Sequence, residues 1–327
     1  MSIVVTGAAG FIGSHVSRAL LDRGEPVFGI DNLNDYYSVA LKRARLSPLM
    51  EHPNFRFHQA DVQDRSAIAA AFAEAGRVTG VVHLAAQAGV RYSLENPYTY
   101  VDANVMGQVV MLEAARRSDA LDHFVYASSS SVYGANTSLP FSVEDRVDHP
   151  ISLYAATKRA GELIGYSYAH THGIPSTGLR FFTVYGPWGR PDMAAYLFCD
   201  AIMAGRPILV FNQGRMRRDF TYIDDIVSGV LGALYHPAQP DERGARHAVY
   251  NLGNSRSEDL LHFIGLIEKA LGREARKQME PMQAGDVAAT YADIEASRRA
   301  LGFDPKTPIE VGIPRFVDWY KSYHKVS

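Results

Sequence analysis

Residues 3–13 read Ile3-Val4-Val5-Thr6-Gly7-Ala8-Ala9-Gly10-Phe11-Ile12-Gly13. Ile3–Thr6 is a short β-branched run that ends on a glycine, which suits a buried strand. Ser14–Arg23 then carries a helical apolar pattern, closed by Gly24. Between the two lie glycines at intervals of three. Glycine permits the tight turn and lets the backbone approach a pyrophosphate, and the helix N-terminus offers free N–H groups and a positive dipole end. A glycine triplet alone also fits any Gly-rich turn. Here it sits between strand and helix, and an acid follows at the right distance. That acid is Asp31, 18 positions past Gly13, at the tip of a second strand, Pro26–Asp31. A carboxylate there accepts hydrogen bonds from ribose hydroxyls and repels a 2′-phosphate, so the reading is NAD rather than NADP.

The alternation continues outward. After a polar loop come a strand at Phe55–Val62, a helix at Arg65–Ala75, a strand at Gly80–Ala86 and a long helix at Tyr98–Arg117. A strand at Phe124–Ser129, a helix at Leu153–Thr171 and a strand at Ser176–Thr183 follow. Strands alternating with helices call for parallel βαβ units. Strands that are apolar throughout call for cover on both faces. The expected fold is therefore α/β, a doubly wound parallel, Rossmann-type sheet. Past Gly186 the prolines and glycines come often. A helix at Asp224–Tyr235, a strand at Ala248–Leu252 and helices at Leu260–Leu271 and Glu295–Leu301 suggest a smaller α+β lobe. The expected division is a dinucleotide domain over 1–180, with segments near 221–253 returning to it, and a substrate lobe over 181–327.

Composition narrows the function. The 327 residues exceed one domain of ~100–200 residues. A net charge of −2 does not suggest a nucleic-acid binder. No apolar run is long enough to span a membrane, and the N-terminus lacks the basic region of a secretion signal. The single cysteine, Cys199, excludes an intrachain disulfide and suits a reducing cytoplasm. The 12 histidines show no metal spacing, and His15, His170 and His172 read as structural or exposed. Lys42 and Arg43 read as solvated charges.

At the dinucleotide, the expected contacts are Gly7, Gly10, Phe11, Ile12 and Gly13, with Asp31 and Asn32 at the ribose and Asp61 and Val62 near the adenine. Leu84, Ala85 and Ala86 leave room beside it, and Asn104 lies in the helix that follows. Chemistry comes from Tyr154 and Lys158, four apart and so on one helix face. With 18 tyrosines, chance gives roughly 0.4 such pairs, so the pair gains meaning from its place. It opens the helix after the strand that ends in Ser128-Ser129-Ser130-Ser131. A phenol of pKa ~10 is a poor base at neutral pH. Lys158 and a positive nicotinamide are expected to lower that value, so that Tyr154 removes a hydroxyl proton as hydride leaves the same carbon.

Taken together, Thr6–Gly13, Asp31, Leu84–Ala86, Ser128–Gly134 and Tyr154/Lys158 resemble the extended short-chain dehydrogenase/reductase family of nucleotide-sugar enzymes. Arg180–Pro187, Arg218–Asp225 and Tyr250–Gly253 match the same family, so the resemblance covers essentially the whole chain. It implies NAD as cofactor, a nucleotide-sugar substrate, Ser129 as the active-site hydroxyl and oxidation at C4 of the sugar. Family dehydratases carry Asp-Glu, and decarboxylating members Glu, where this chain has Ser130 and Ser131. Without that acid, the simple outcome is return of hydride to the opposite face, which is epimerisation.

Thr183, Arg190 and the runs Gly186–Met193, Asp31–Arg45 and Ala85–Tyr92 are similar to those of UDP-glucuronate 4-epimerases. In these, the matching Thr and Arg face the C6 carboxylate. The 4-keto intermediate of a glucuronate is a β-keto acid, and it loses CO₂ when the carboxylate plane stands roughly perpendicular to the carbonyl. Arg190 and Thr183 are expected to hold the carboxylate away from that angle. Arg218 should meet the UDP diphosphate and Asp286 should anchor the same site, while Arg91, Ser128 and Ser130 are further substrate contacts. The alternatives are a UDP-glucose/galactose 4-epimerase, a UDP-glucuronate decarboxylase, or a non-catalytic NAD-binding regulator. The family also implies a homodimer paired through the helices Tyr98–Arg117 and Leu153–Thr171.

Overall fold

The computed structural model describes residues 1–283 and 286–326. Six strands and their connections build its first half: β1 (Ser2–Thr6), β2 (Val27–Asp31), β3 (Phe55–Gln59), β4 (Val78–His83), β5 (His123–Ser129) and β6 (Ser176–Phe181). A seventh strand, His247–Leu252, lies beside β6, and the sheet runs in the order His247–Leu252, β6, β5, β4, β1, β2, β3. Every pairing in it is parallel. The doubly wound sheet read from the alternation is thus present, and its strand order reverses between β1 and β4. Ligands bind outside the carboxyl ends of strands at such a switch point.

Local sequence explains the elements that frame that point. All five residues of β1 are buried, as a strand covered on both faces requires. Helix α1 (Phe11–Leu21) turns Val16, Leu20 and Leu21 inward. Helix α2 (Val39–Met50) is capped by Ser38, whose hydroxyl accepts from the Leu41 N–H. Helix α3 (Arg65–Ala75) is capped by Asp64, which accepts from the N–H groups of Ser66 and Ala67. The helix Leu153–His172 starts on a Ser152 cap and stops at Gly173, whose φ of +67° is the left-handed value glycine adopts without strain.

The later half folds around the same core. One apolar cluster runs from Val16 and Leu20 of α1 through Phe182 to Phe263 and Phe316. Short paired strands, Thr183–Tyr185 with Phe220–Tyr222 and Ile208–Val210 with Lys277–Met279, shape the second wall of the cleft. Helices Ala194–Met203, Leu260–Leu271 and Ile309–His324 back them.

Three expectations are corrected. The polar loop after β2 contains α2, and Lys42 is buried there, its Nζ 2.6 Å from both the carbonyl and side-chain oxygens of Asn34. The helix expected at Tyr98–Arg117 begins at Pro97 and is interrupted by a π-helical turn at Val101–Met106. Helices Ala194–Met203 and Ile309–His324 stand where no element was read: Pro187, Pro191, Gly205 and Pro207 around the first suggested loop, and Pro314 lies inside the second.

Candidate active site

A cleft of about 1430 Å³ opens at the carboxyl ends of β1, β4 and β5 and is lined also by residues between Phe181 and Asp286. That exceeds the ~300–1,000 Å³ of a pocket for one small ligand, and suits a dinucleotide with a nucleotide sugar beside it. All the sequence-expected site residues line it except Asn104.

The glycine turn is built so that only glycine fits. Gly7 has φ +70°, and a Cβ on it would come within 3.0 Å of the Ala85 nitrogen. A Cβ on Gly13 would stand 2.0 Å from the Gly7 carbonyl oxygen. Gly13→Ala is therefore expected to destabilise the fold by about 1–3 kcal/mol through overpacking and to strip the protein of dinucleotide. Thermal unfolding and the cofactor content of the purified variant check this, and a variant that retains both would refute the close-approach argument.

At the tip of β2, Asp31 is buried. Its carboxylate accepts from the N–H of Ala9 at 3.1 Å and of Leu33 at 2.8 Å. Burial pushes this carboxyl above the ordinary carboxylate value, while Leu33, Lys42 and Ala9 oppose the rise. Asn32 donates to Asp61 at 3.0 Å, so the ribose-side and adenine-side candidates form one edge. Thr6 Oγ1 joins β1 to β4, 2.7 Å from His83 Nδ1 and accepting from the Ala85 N–H at 3.0 Å.

Asn104 departs from its expected cofactor role. It sits in the π-helical turn, where its amide accepts from the Gln87 N–H at 2.8 Å and donates to the Gln87 carbonyl and to Thr157 Oγ1, both at 3.0 Å. Its polar atoms are spent bracing the loop after β4 against the helix that carries Tyr154.

The serines separate by strand alternation. Ser128 lines the cleft but donates its hydroxyl to Glu162 at 2.6 Å, so that proton is not free for the expected substrate contact. Glu162 in turn pairs with Arg180 at 2.8 and 2.9 Å, and both are almost wholly buried. Ser129 lines the cleft as well. Its hydroxyl lies 3.2 Å from Ser131 Oγ, and it favours the charged form of Tyr154.

Tyr154 and Lys158 line the cleft from one helix face, with Lys158 Nζ 6.0 Å from the Tyr154 ring centre and donating to the Ala127 carbonyl at 2.9 Å. Burial lowers the Lys158 ammonium to about 8. The expected lowering of Tyr154 is not what the protein's own groups produce. Burial pushes the phenol up, and Ser129 and Arg190 only partly oppose it.

Thr183 and Arg190 line the same cleft, and the Arg190 charge acts on Tyr154. Arg190 is forked onto Asp192, Nε to Oδ1 at 3.0 Å and Nη2 to Oδ2. Arg218 pairs with Asp286 at 3.2 Å, and both line the cleft. Arg91 sits over the Phe211 ring at 5.1 Å, spanning the cleft between the lobes.

Several residues at this site were not singled out from sequence: Tyr36, Asp192 and Arg45. Arg45 is buried, and its guanidinium reaches the carbonyls of Ala9, Trp188 and Gly189 and the hydroxyl of Tyr37. It thereby ties the glycine turn to the loop bearing Arg190. No local spacing signals such a role, since its partners are over a hundred residues apart.

Comparison with known proteins agrees with this geometry. Residues 3–253 match the model of the NAD dependent epimerase/dehydratase family. Protein CapI of Staphylococcus aureus is 48% identical over 336 residues, covering 99% of this chain and 100% of that protein. UDP-glucuronate 4-epimerase 2 of Arabidopsis thaliana is 47% identical over 335 residues, covering 99% of this chain and 77% of that protein. The crystal structure of UDP-glucuronic acid 4-epimerase from Bacillus cereus, in complex with UDP-glucuronic acid and NAD, superposes with a TM-score of 0.89 at 34% identity, covering 99% of this chain and 100% of that one. Match, identity and geometry converge: the chain belongs to the NAD dependent epimerase/dehydratase family.

Proposed function

We propose that the protein interconverts UDP-glucuronate and UDP-galacturonate by epimerising C4 of the sugar with tightly held NAD. The observation that carries this reading is the cleft itself, which Thr183 and Arg190 line together with Ser129 and Tyr154. A base and a guanidinium in one cleft suit a sugar whose C4 hydroxyl and C6 carboxylate are neighbours.

The cradle fits the dinucleotide because a side chain on Gly7 or Gly13 would fill it and because Asp31 offers its carboxylate at the tip of β2. When bound there, the nicotinamide accepts the C4 hydride and gives it back. Tyr154 takes the C4 hydroxyl proton, Ser129 holds the same oxygen, and Lys158 favours the phenolate by its charge. Return of the hydride to the opposite face of C4 would require the sugar to turn over within the cleft. Tyr154 returns the proton to the new hydroxyl. Ser130 and Ser131 supply no carboxyl for dehydration. Arg218 meets the diphosphate, paired with Asp286, and Arg91 closes the cleft over the sugar.

Exposed Tyr98 and Val101 on the helix beginning at Pro97, with Leu163 on Leu153–His172, support pairing with a second copy. Lone, buried Cys199 suits a reducing cytoplasm, and no helix among the described residues is long and apolar enough to cross a membrane.

The test is product analysis. Incubated with UDP-glucuronate and no added NAD, the purified protein is expected to yield UDP-galacturonate by NMR, and to leave UDP-glucose unchanged. UDP-galactose from UDP-glucose would instead indicate the neutral-sugar epimerase. A UDP-pentose as main product would indicate a decarboxylase, and no turnover of either sugar a binding protein.

A further inference from the structure

A guanidinium offers its donors along two edges, and a carboxylate can fork onto either. In Arg190 one edge is taken. Nε donates to Asp192 Oδ1 at 3.0 Å and Nη2 to Oδ2. Nη1 has no hydrogen-bond acceptor among the described residues. Asp192 is also held by Tyr36, whose hydroxyl donates to Oδ2 at 3.4 Å. Gly89 leaves space for that contact, since a Cβ there would stand 2.9 Å from the Tyr36 oxygen. Arg190, Asp192 and Tyr36 all line the cleft.

This arrangement changes what Arg190 can offer. Asp192 cancels its charge, so the pair attracts an anion less than a free arginine would. What remains is direction. We propose that Asp192 is a positioning residue, which occupies the Nε–Nη2 edge of Arg190 so that the C6 carboxylate of the substrate can meet only the remaining Nη1 side. This rests on the reading of Arg190 as the carboxylate contact given under Proposed function. The plane of the substrate carboxylate is then set by protein geometry and not by the sugar's own rotation.

The reason to fix that plane lies in the intermediate. Oxidation at C4 makes a β-keto acid. If its carboxylate turns, the C5–C6 bond breaks, CO₂ leaves, and the bonding pair passes into the C4 enolate. A proton from water adds at C5, and the hydride returns to C4 to give a UDP-pentose, with no net redox change. Asp192 suppresses this leak at the expense of affinity.

The experiment is Asp192→Asn, with Asp192→Glu and Arg190→Ala beside it, assayed on UDP-glucuronate by NMR. Asp192→Asn is expected to lower KM several-fold, since Arg190 regains its charge, and to lower kcat about tenfold or more as the carboxylate loses its fixed pose. A UDP-pentose should appear beside UDP-galacturonate. Asp192→Glu, which can still reach the same edge, should give less pentose than the Asn variant. An Asp192→Asn enzyme that makes no pentose, or whose KM rises, would overturn the proposal. If Arg190→Ala leaves KM unchanged, the underlying reading of Arg190 fails, and the proposal with it. If the parent makes no UDP-galacturonate, the proposed function itself fails.

Discussion

Tyr154→Phe is expected to lower kcat by about 10²–10⁴-fold, the range that one positioned acid–base group contributes. The half-buried Tyr154 lines the cleft, and Ser129 and Arg190 favour its phenolate. Lys158 cannot replace it, because its Nζ is committed to the Ala127 carbonyl at 2.9 Å. Ser129 has the reach but not the acidity. Deleting one oxygen leaves the ring packing intact, including the edge contact with Tyr100 at 6.0 Å. Binding of UDP-glucuronate by calorimetry and cofactor content should therefore change little while turnover collapses. A variant within about tenfold of the parent rate would remove Tyr154 from the acid–base role.

Glu162→Leu is expected to cost about 3–5 kcal/mol of stability, the penalty for leaving a buried partner charge unpaired. Arg180 is 2% exposed, and Glu162 is its only carboxylate partner among the described residues. The remaining contact, Tyr133 Oη at 3.1 Å, carries no opposing charge. Ser128 would lose its acceptor as well. Adding Arg180→Met to the same chain removes the stranded charge and should restore much of the loss, so that the double variant is more stable than the single one. Urea unfolding of the parent and both variants measures this. A single variant within about 1 kcal/mol of the parent, or a double variant no better than the single, would refute the argument.

The sign of the pH effect follows from Glu162. Burial pushes its carboxyl up, but hydrogen bonds from Arg180, Ser128 and Arg159 and the charge of Arg180 outweigh that and hold it below the ordinary value. A lowered carboxyl stabilises the fold fully above the unfolded value and loses that contribution as pH falls through the folded one. The gap between parent and Glu162→Leu should therefore hold from neutral pH to about pH 5 and narrow in stronger acid.

Local spacing carries some of this molecule and not the rest. The cradle was legible because two of its glycines answer a local clash, Gly10 and Gly13 both against the carbonyl of Gly7, whereas Gly7 answers the distant backbone of Leu84 and Ala85. The strands were legible because a sheet covered on both faces needs unbroken apolar runs. Helices Arg65–Ala75 and Leu260–Leu271 were readable to their ends, since Asp64, Gly76, Asp259 and Gly272 punctuate them. Helix Ile309–His324 was not, for it carries Pro314 inside, and its burial against Trp188 and Tyr196 comes from distant chain.

By itself, the sequence determined which groups are present: a glycine turn between strand and helix, an acid at the tip of β2, a Tyr–Lys pair on one helix face and serines before Val132-Tyr133-Gly134. Those are matters of residue type and short-range period. Tertiary structure alone decided which partner each polar group meets. It joined Ser128 to Glu162 and Ser129 to Ser131, spent Asn104 on Gln87, sank Lys42 against Asn34 and gave one edge of Arg190 to Asp192. The physical reason is desolvation. Once packing removes water from a polar atom, it must find a partner in the protein, and packing between distant segments chooses that partner.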